Sequence, residues 1–164
     1  MSVLTDEMLA IGTRLALSVL VGGLIGLNRD LHHKPAGVRT HALVSLGTAL
    51  MVIVVIPPGT LDGTHYDALS RVIQGVLTGI GFLGAGVILR DPGTQHVSGL
   101  TTAATIWLTA LLGVACGAGF YLPVAVALVL GVLVLMFGGG IEGAFHRRFW
   151  HGENSDEQQP PGKS

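Results

Sequence analysis

Five apolar runs, each close to the length that crosses a bilayer, decide what this chain can become. They lie at Met8 to Leu27, Thr40 to Ile56, Ser70 to Leu89, Leu100 to Cys116 and Tyr121 to Gly140. A transmembrane helix needs about 20 mostly apolar residues. A backbone in lipid must also satisfy its own N–H and C=O groups, which a helix does and an open strand does not. The runs therefore predict an all-α integral membrane protein with five transmembrane helices. Composition points the same way: 12% of the 164 residues are charged and 49% are hydrophobic, where a soluble domain carries about 25% charged residues. Pro57-Pro58 ends the second run, because proline lacks an amide donor and clashes with the preceding turn. The stretch GAGFYLP, 117–123, is so short that spans four and five must form a helical hairpin.

The distribution of Lys and Arg sets a direction. Arg29, Lys34 and Arg39 follow span one, Arg90 follows span three, and Arg147, Arg148 and Lys163 follow span five. The opposite side holds only Arg71, and Arg14 lies inside span one. This predicts the N-terminus outside and the C-terminus in the cytoplasm. Asp6 and Glu7 precede the first run without a basic stretch or a small-residue cleavage site, so the first span is expected to stay rather than act as a signal peptide. Residues 1–143 are expected to form one membrane domain. In 144–164 and its approach, Ile141, Phe145 and Phe149 recur four apart beside Arg147 and Arg148, which suits a short interfacial helix. The polar tail after it is expected to be disordered. The lone Cys116 allows no intrachain disulfide and reads as a small packing residue, and a net charge of −1 leaves no basic footprint for nucleic acid.

Within span three, Gly79, Gly81 and Gly84 have the GxGxxG spacing of a dinucleotide-binding turn. That turn needs a preceding strand and a βαβ unit, and a chain this apolar offers neither. On a helix, Arg71, Gln74, Gly75, Thr78, Gly79, Gly81, Ala85 and Gly86 share one broad side, opposite Val72, Val76, Ile80 and Leu83. Small residues mark contact faces in lipid, where close packing rather than the hydrophobic effect joins helices. Span three is therefore expected to be a central helix. Arg14, Ser18, Gly22 and Gly26 recur at four-residue spacing in span one, His41, Ser45 and Thr48 share a face in span two, and Thr101, Thr105 and Thr109 share one in span four. Span five lacks such a stripe and belongs at the lipid-facing edge.

Polar residues then define the candidate sites. The orientation gathers Asn28, Arg29, Asp30, Arg39, Thr40, His41, Arg90, Asp91, Ser98, Thr101 and Thr102 near the cytoplasmic face. They form either a partly basic pocket for a partner protein, an anion or a lipid head group, or juxtamembrane cations paired with Asp30, Asp91 and lipid phosphate. Arg39-Thr40-His41 carries the most weight, because a Thr-His pair entering the bilayer needs partners. An arginine inside a span costs at least about 2.5 kcal/mol. Arg14 therefore either snorkels outward toward Glu7 or lines an outward-facing polar cavity with Arg71 and Gln74. His32-His33 has no metal-ligand spacing with the other histidines, so no metal or cofactor is expected. Trp107 is expected to pack in the core with its indole N–H near a threonine.

The stretches GGLIGLNRD, KPAGVRTHALVSLG, GIGFLGAGVILR and GLTTAATIWLTALLGVACGAG, in this order and spacing, resemble the MgtC/SapB family of bacterial inner-membrane proteins. The likeness runs from about Leu9 to Leu135. It implies a five-span membrane domain with a cytoplasmic C-terminus, and a role linked to magnesium limitation, acid stress and intracellular survival. The best-known member looks like a regulator of the F-type ATP synthase. The family usually reads Gly-Leu-Glu-Arg-Glu after span one, where this chain has Gly26-Leu27-Asn28-Arg29-Asp30. Some members also carry a folded cytoplasmic C-terminal domain, which is not expected in this sequence.

A magnesium path should supply oxygen ligands, usually carboxylates, and no Asp or Glu lies in the middle of a span. No nucleophile, base and orienter set appears, so no enzyme activity is expected. The expectation is a non-catalytic regulator that binds another membrane complex through its glycine-rich faces and self-associates. The alternatives are a small oligomeric transporter or channel for Mg²⁺ or another ion, and a scaffold acting by self-association alone.

Overall fold

The computed structural model describes residues 2–90 and 97–149, with side chains described over 4–88 and 97–138. Asp91 and the tail from Trp150 onward lie outside the described residues. Among them are five helices: α1 (Ser2–Leu31), α2 (Val38–Val55), α3 (Tyr66–Val87), α4 (Leu100–Ala118) and α5 (Tyr121–Phe149). All five are long and apolar enough to cross a membrane. A short antiparallel pair, β1 (Leu89–Arg90) and β2 (Val97–Ser98), joins α3 to α4 with Leu89 opposite Ser98. The stretch 141–149, expected as a separate interfacial helix, is helical backbone continuous with α5.

Local chemistry fixes the ends. The Asp30 carboxylate accepts the Val38 N–H at 3.0 Å, placing a negative charge at the start of α2. Asp67 occupies the first turn of α3 in the same sense. Gly99 sits at φ +91, and a Cβ there would collide with the Val87 carbonyl oxygen, so only glycine lets α4 start against the end of α3. Gly119, at φ +85, closes α4: its N–H bonds Cys116 O at 3.0 Å and the Phe120 N–H bonds Ala115 O at 2.9 Å, a double C-cap that turns the chain directly into α5.

The central helix is α4, not span three. One core cluster, with Val52, Ile56, Val76, Ile80, Ile106 and Ala110, lies between α2, α3 and α4. A second, with Val21, Ile25, Leu112, Cys116 and Val124, lies between α1, α4 and α5. Both need α4, while α3 buries only Leu69, Val76 and Ile80. α5 stands at the edge, with Leu122, Val126, Val129, Leu130, Val134 and Phe137 exposed. Trp107 is also a correction: it is 46% exposed and borders a groove between α3 and α4 rather than filling the core.

Candidate functional site

α1, α2 and α4 meet along a seam of small and hydroxyl-bearing residues. A Cβ on Gly22 would lie 2.5 Å from His41 O and 2.9 Å from Ser45 Cβ, and one on Gly26 would lie 2.5 Å from Val38 Cα. From the other side, a Cβ on Gly117 would lie 2.5 Å from Ala49 O, and one on Gly113 would strike Ser45 O and Thr48 Oγ1. The glycines thus let three backbones approach one another, as small residues do between helices in lipid. The face that α4 turns to the seam is Thr102, Thr105 and Thr109, all buried. Thr101, grouped with Thr105 and Thr109 from four-residue spacing, is exposed instead.

The hydroxyls in this seam satisfy themselves mainly on their own helices. Thr48 Oγ1 donates to Val44 O and Ser45 O at 3.0 Å, Thr109 Oγ1 to Thr105 O at 2.8 Å, and Ser18 Oγ to Leu15 O at 2.7 Å. Ser45 Oγ is buried without a partner. At one end of the seam His41, fully buried, places Nδ1 3.0 Å from Gly37 O and Nε2 3.2 Å from Thr105 Oγ1. A carbonyl only accepts, so Nδ1 carries the proton. In the neutral ring Nε2 then accepts from the Thr105 hydroxyl. In the charged ring Nε2 donates, and the hydroxyl turns to Thr102 O, which lies 2.8 Å away.

Arg29, in the last turn of α1, is the other buried polar group at this end. Only 6% exposed, it donates from Nη2 to Thr102 Oγ1 at 2.9 Å, and its Nε has no partner. Of the sequence candidates, the structure brings Arg29, His41 and Thr102 together in the interior, with Asp30 against the start of α2. Arg39, Thr40 and Thr101 are exposed around them, and Asn28 is half-buried with its carbonyl accepting from His32 Nδ1 at 2.7 Å. Arg90 has its backbone in β1.

Arg14 has a use that spacing did not reveal. Its Nη1 donates to Gly117 O at 2.7 Å, and its guanidinium packs where a Cβ on Gly119 would sit. It therefore places a cation on the C-terminal carbonyls of α4, the negative end of that helix. It does not group with Arg71 and Gln74: both are exposed on α3, which packs on α4 and α2, and Gln74 Nε2 donates to Ser70 Oγ at 3.3 Å. The signal was present in the Gly-Ala-Gly that ends α4, but not which helix it faces.

Gly75, Gly79, Gly81 and Gly86 behave unlike the seam glycines: among the described residues, an added Cβ at any of them would meet no atom of another element within 4 Å. With Arg71, Gln74, Thr78, Ala85 and the protruding Phe82 they form an exposed face of α3. Outside the spans, in the α2–α3 loop, Asp62 Oδ1 accepts from Thr64 Oγ1 at 2.5 Å, His65 Nδ1 at 2.9 Å and Thr64 N–H at 2.8 Å. These bonds, that of the Thr64 hydroxyl first, hold its carboxyl down at about 2.

The chain has clear relatives. It is 51% identical over 122 residues to Protein SrpB of Synechococcus elongatus, covering 70% of this chain and 67% of that protein. It is 42% identical over 126 residues to "Putative magnesium transporter YhiD" of Escherichia coli K12, covering 74% and 57%. To Protein MgtC of Brucella abortus it is 42% identical over 120 residues, covering 73% and 48%. The chain thus spans between about half and two thirds of the length of these relatives. No solved structure gives a significant match. The family model described as MgtC family matches residues 15–144, which take in α2, α3, α4, the second half of α1 and most of α5, and the chain belongs to the MgtC family.

Proposed function

We propose that this chain is a non-catalytic regulator of the bacterial inner membrane, with its N-terminus outside and its C-terminus in the cytoplasm, acting by binding another membrane complex along the exposed small-residue face of α3. The supporting observation is that Gly75, Gly79, Gly81 and Gly86 meet no other element among the described residues, although small residues on a membrane helix are what close helix contact requires. Family membership supports a link to magnesium limitation, acid stress or intracellular survival, and the family resemblance makes the F-type ATP synthase the first partner to look for. The name of the Escherichia coli relative favours the second reading, an oligomeric Mg²⁺ or other ion transporter.

One pair of measurements separates the two. Cross-linking with mass spectrometry from native membranes, on the native chain and Gly79→Leu, is expected to capture a membrane complex that the variant loses while remaining folded. Purified protein in liposomes is expected to give no ion flux. Specific flux without capture would establish the transporter. Capture of further copies of this chain alone, lost in Gly79→Leu but surviving loss of Arg39 and His41, would establish the self-associating scaffold.

A further inference from the structure

Two observations converge where α4 begins. The first is charge. The N-cap position of this 19-residue helix is Gly99, so no side chain caps it, and no acidic residue stands in its first turn. Its first amides therefore carry a partial positive charge that no described side chain caps. Arg29, 94% withdrawn from solvent, brings its guanidinium to the same turn, where among the described residues it donates only to the neutral hydroxyl of Thr102 and leaves Nε unpartnered. The neighbouring Asp30 is engaged by the Val38 N–H, and the one ion pair among the described residues, Asp62 with His65, lies in the α2–α3 loop. A buried cation without a counter-charge is costly, and a helix N-terminus adds field of the same sign. The missing element is an anion.

The second observation is shape. From this same turn an apolar groove of about 390 Å³ runs between α4 and α5, with Thr101 at its polar end, Ala104 and Leu108 on one wall, and Ala127 and Gly131 on the other. The volume falls in the range of small-molecule sites. The groove lies on the side of helices that cross the membrane, where an acyl chain enters without leaving lipid.

We propose that the start of α4 and the α4–α5 groove form one site for an anionic phospholipid, its phosphate held by Arg29 and the uncapped amides of α4 and one acyl chain lying in the groove. The charge complementarity selects the net-negative head group, and the groove selects a lipid over a free anion. Arg29 and the α5 wall of the groove share no residue with the α3 face, so loss of lipid binding in Arg29→Gln and loss of partner capture in Gly79→Leu are read independently.

Native mass spectrometry of the full chain in detergent, titrated with dioleoyl phosphatidylglycerol, dioleoyl phosphatidylcholine and inorganic phosphate, tests this. Saturable binding of one phosphatidylglycerol per chain is expected, at least about tenfold tighter than phosphatidylcholine. Arg29→Gln should weaken it about tenfold. Because that change touches a buried side chain, Ala104→Trp provides the second arm: Ala104 is exposed, so the tryptophan fills the groove without disturbing the core and should also weaken binding about tenfold at an unchanged unfolding midpoint. Equal binding of the two lipids, or native affinity in either variant, overturns the proposal. Displacement of the lipid by inorganic phosphate at comparable concentration overturns the acyl-chain part and leaves an anion site alone.

Discussion

Replacing Gly22 and Gly79 by alanine, one at a time, should have opposite effects on stability, although both glycines are mid-span and occur in small-residue patterns. At Gly22 the new methyl carbon would start 2.5 Å from His41 O, against 3.4 Å for ordinary contact. α1 and α2 must therefore part by about 0.9 Å. Two of the three nearest atoms are backbone, so a rotamer change cannot relieve the contact. Overpacking of this kind costs about 1–3 kcal/mol, and a gain of about 1 kcal/mol from the better helix propensity of alanine offsets part of it. The net expectation is a loss of up to about 2 kcal/mol. At Gly79 nothing lies within 4 Å, so only the propensity gain remains and stability stays level or rises by up to about 1 kcal/mol. The two variants should differ by about 2 kcal/mol, roughly a 30-fold difference in the unfolding constant. Unfolding in mixed micelles with rising sodium dodecyl sulfate, followed by circular dichroism, measures this directly. Equal stability of the two variants would refute the assignment of Gly22 to the α1–α2 contact and of Gly79 to an empty face.

Three further outcomes follow from the polar contacts. Arg14→Leu should lower stability by about 1.5 kcal/mol in the same assay, because it removes a charge-assisted bond to Gly117 O and leaves the end of α4 uncompensated; an unchanged midpoint would return Arg14 to a snorkelling role. The imidazole of His41, when neutral, should be the Nδ1–H tautomer, since Nδ1 faces Gly37 O; ¹⁵N NMR of labelled histidine reads this, and an Nε2–H pattern would contradict the geometry. Asp62 should titrate near 2 rather than 3.8. A depressed carboxyl contributes stability that is fully present above the unfolded value and is lost as pH falls through the folded one, so the loop bonds to Thr64 and His65 should weaken only between about 3.8 and about 2, which carboxyl ¹³C shifts would follow and Asp62→Asn would abolish.

The five helices were legible because long apolar runs broken by Pro57-Pro58 and by Gly-Ala-Gly leave few alternatives. Their ends were less so: α1 extends to Ser2 and Leu31, and α3 begins at Tyr66, because polar residues such as Asp6, Asp30 and Asp67 are compatible with a helix once it leaves the apolar layer. The β1–β2 pair had no signal, being two residues per strand. The stripes on α1 and α2 were readable from four-residue spacing, whereas on α4 the choice between Thr101 and Thr102 depends on which helices flank it. Arg29 looked like an ordinary juxtamembrane cation; its burial arises because the last turn of α1 reaches the first turn of α4, a contact 73 residues apart in sequence. Which face of α3 would be covered was not decidable from pattern alone, since lipid solvates an apolar ridge as well as a neighbouring helix does.

That last ambiguity bears on what the molecule is for. The seam between α1, α2 and α4 holds by backbone approach at Gly22, Gly26, Gly113 and Gly117, where each missing Cβ has a specific neighbour. α3 attaches to it through Leu69, Val76 and Ile80 and turns its other side outward. On that side Gly75, Gly79, Gly81 and Gly86 each cost about 1 kcal/mol of helix propensity relative to alanine on scales measured in water, about 4 kcal/mol together, with no close contact among the described residues to offset it. Exposed α5 shows that lipid contact alone does not call for small residues: it presents Leu122, Val126, Val129, Leu130, Val134 and Phe137. Two lipid-accessible helices in one bundle thus differ: α5 presents bulky residues throughout, whereas α3 presents small ones around a single protruding ring, Phe82, which is 83% exposed. A helix from outside the chain, packing closely on α3, supplies the contact energy that this arrangement lacks, which is why Gly79→Leu is expected to abolish capture while leaving the fold untouched.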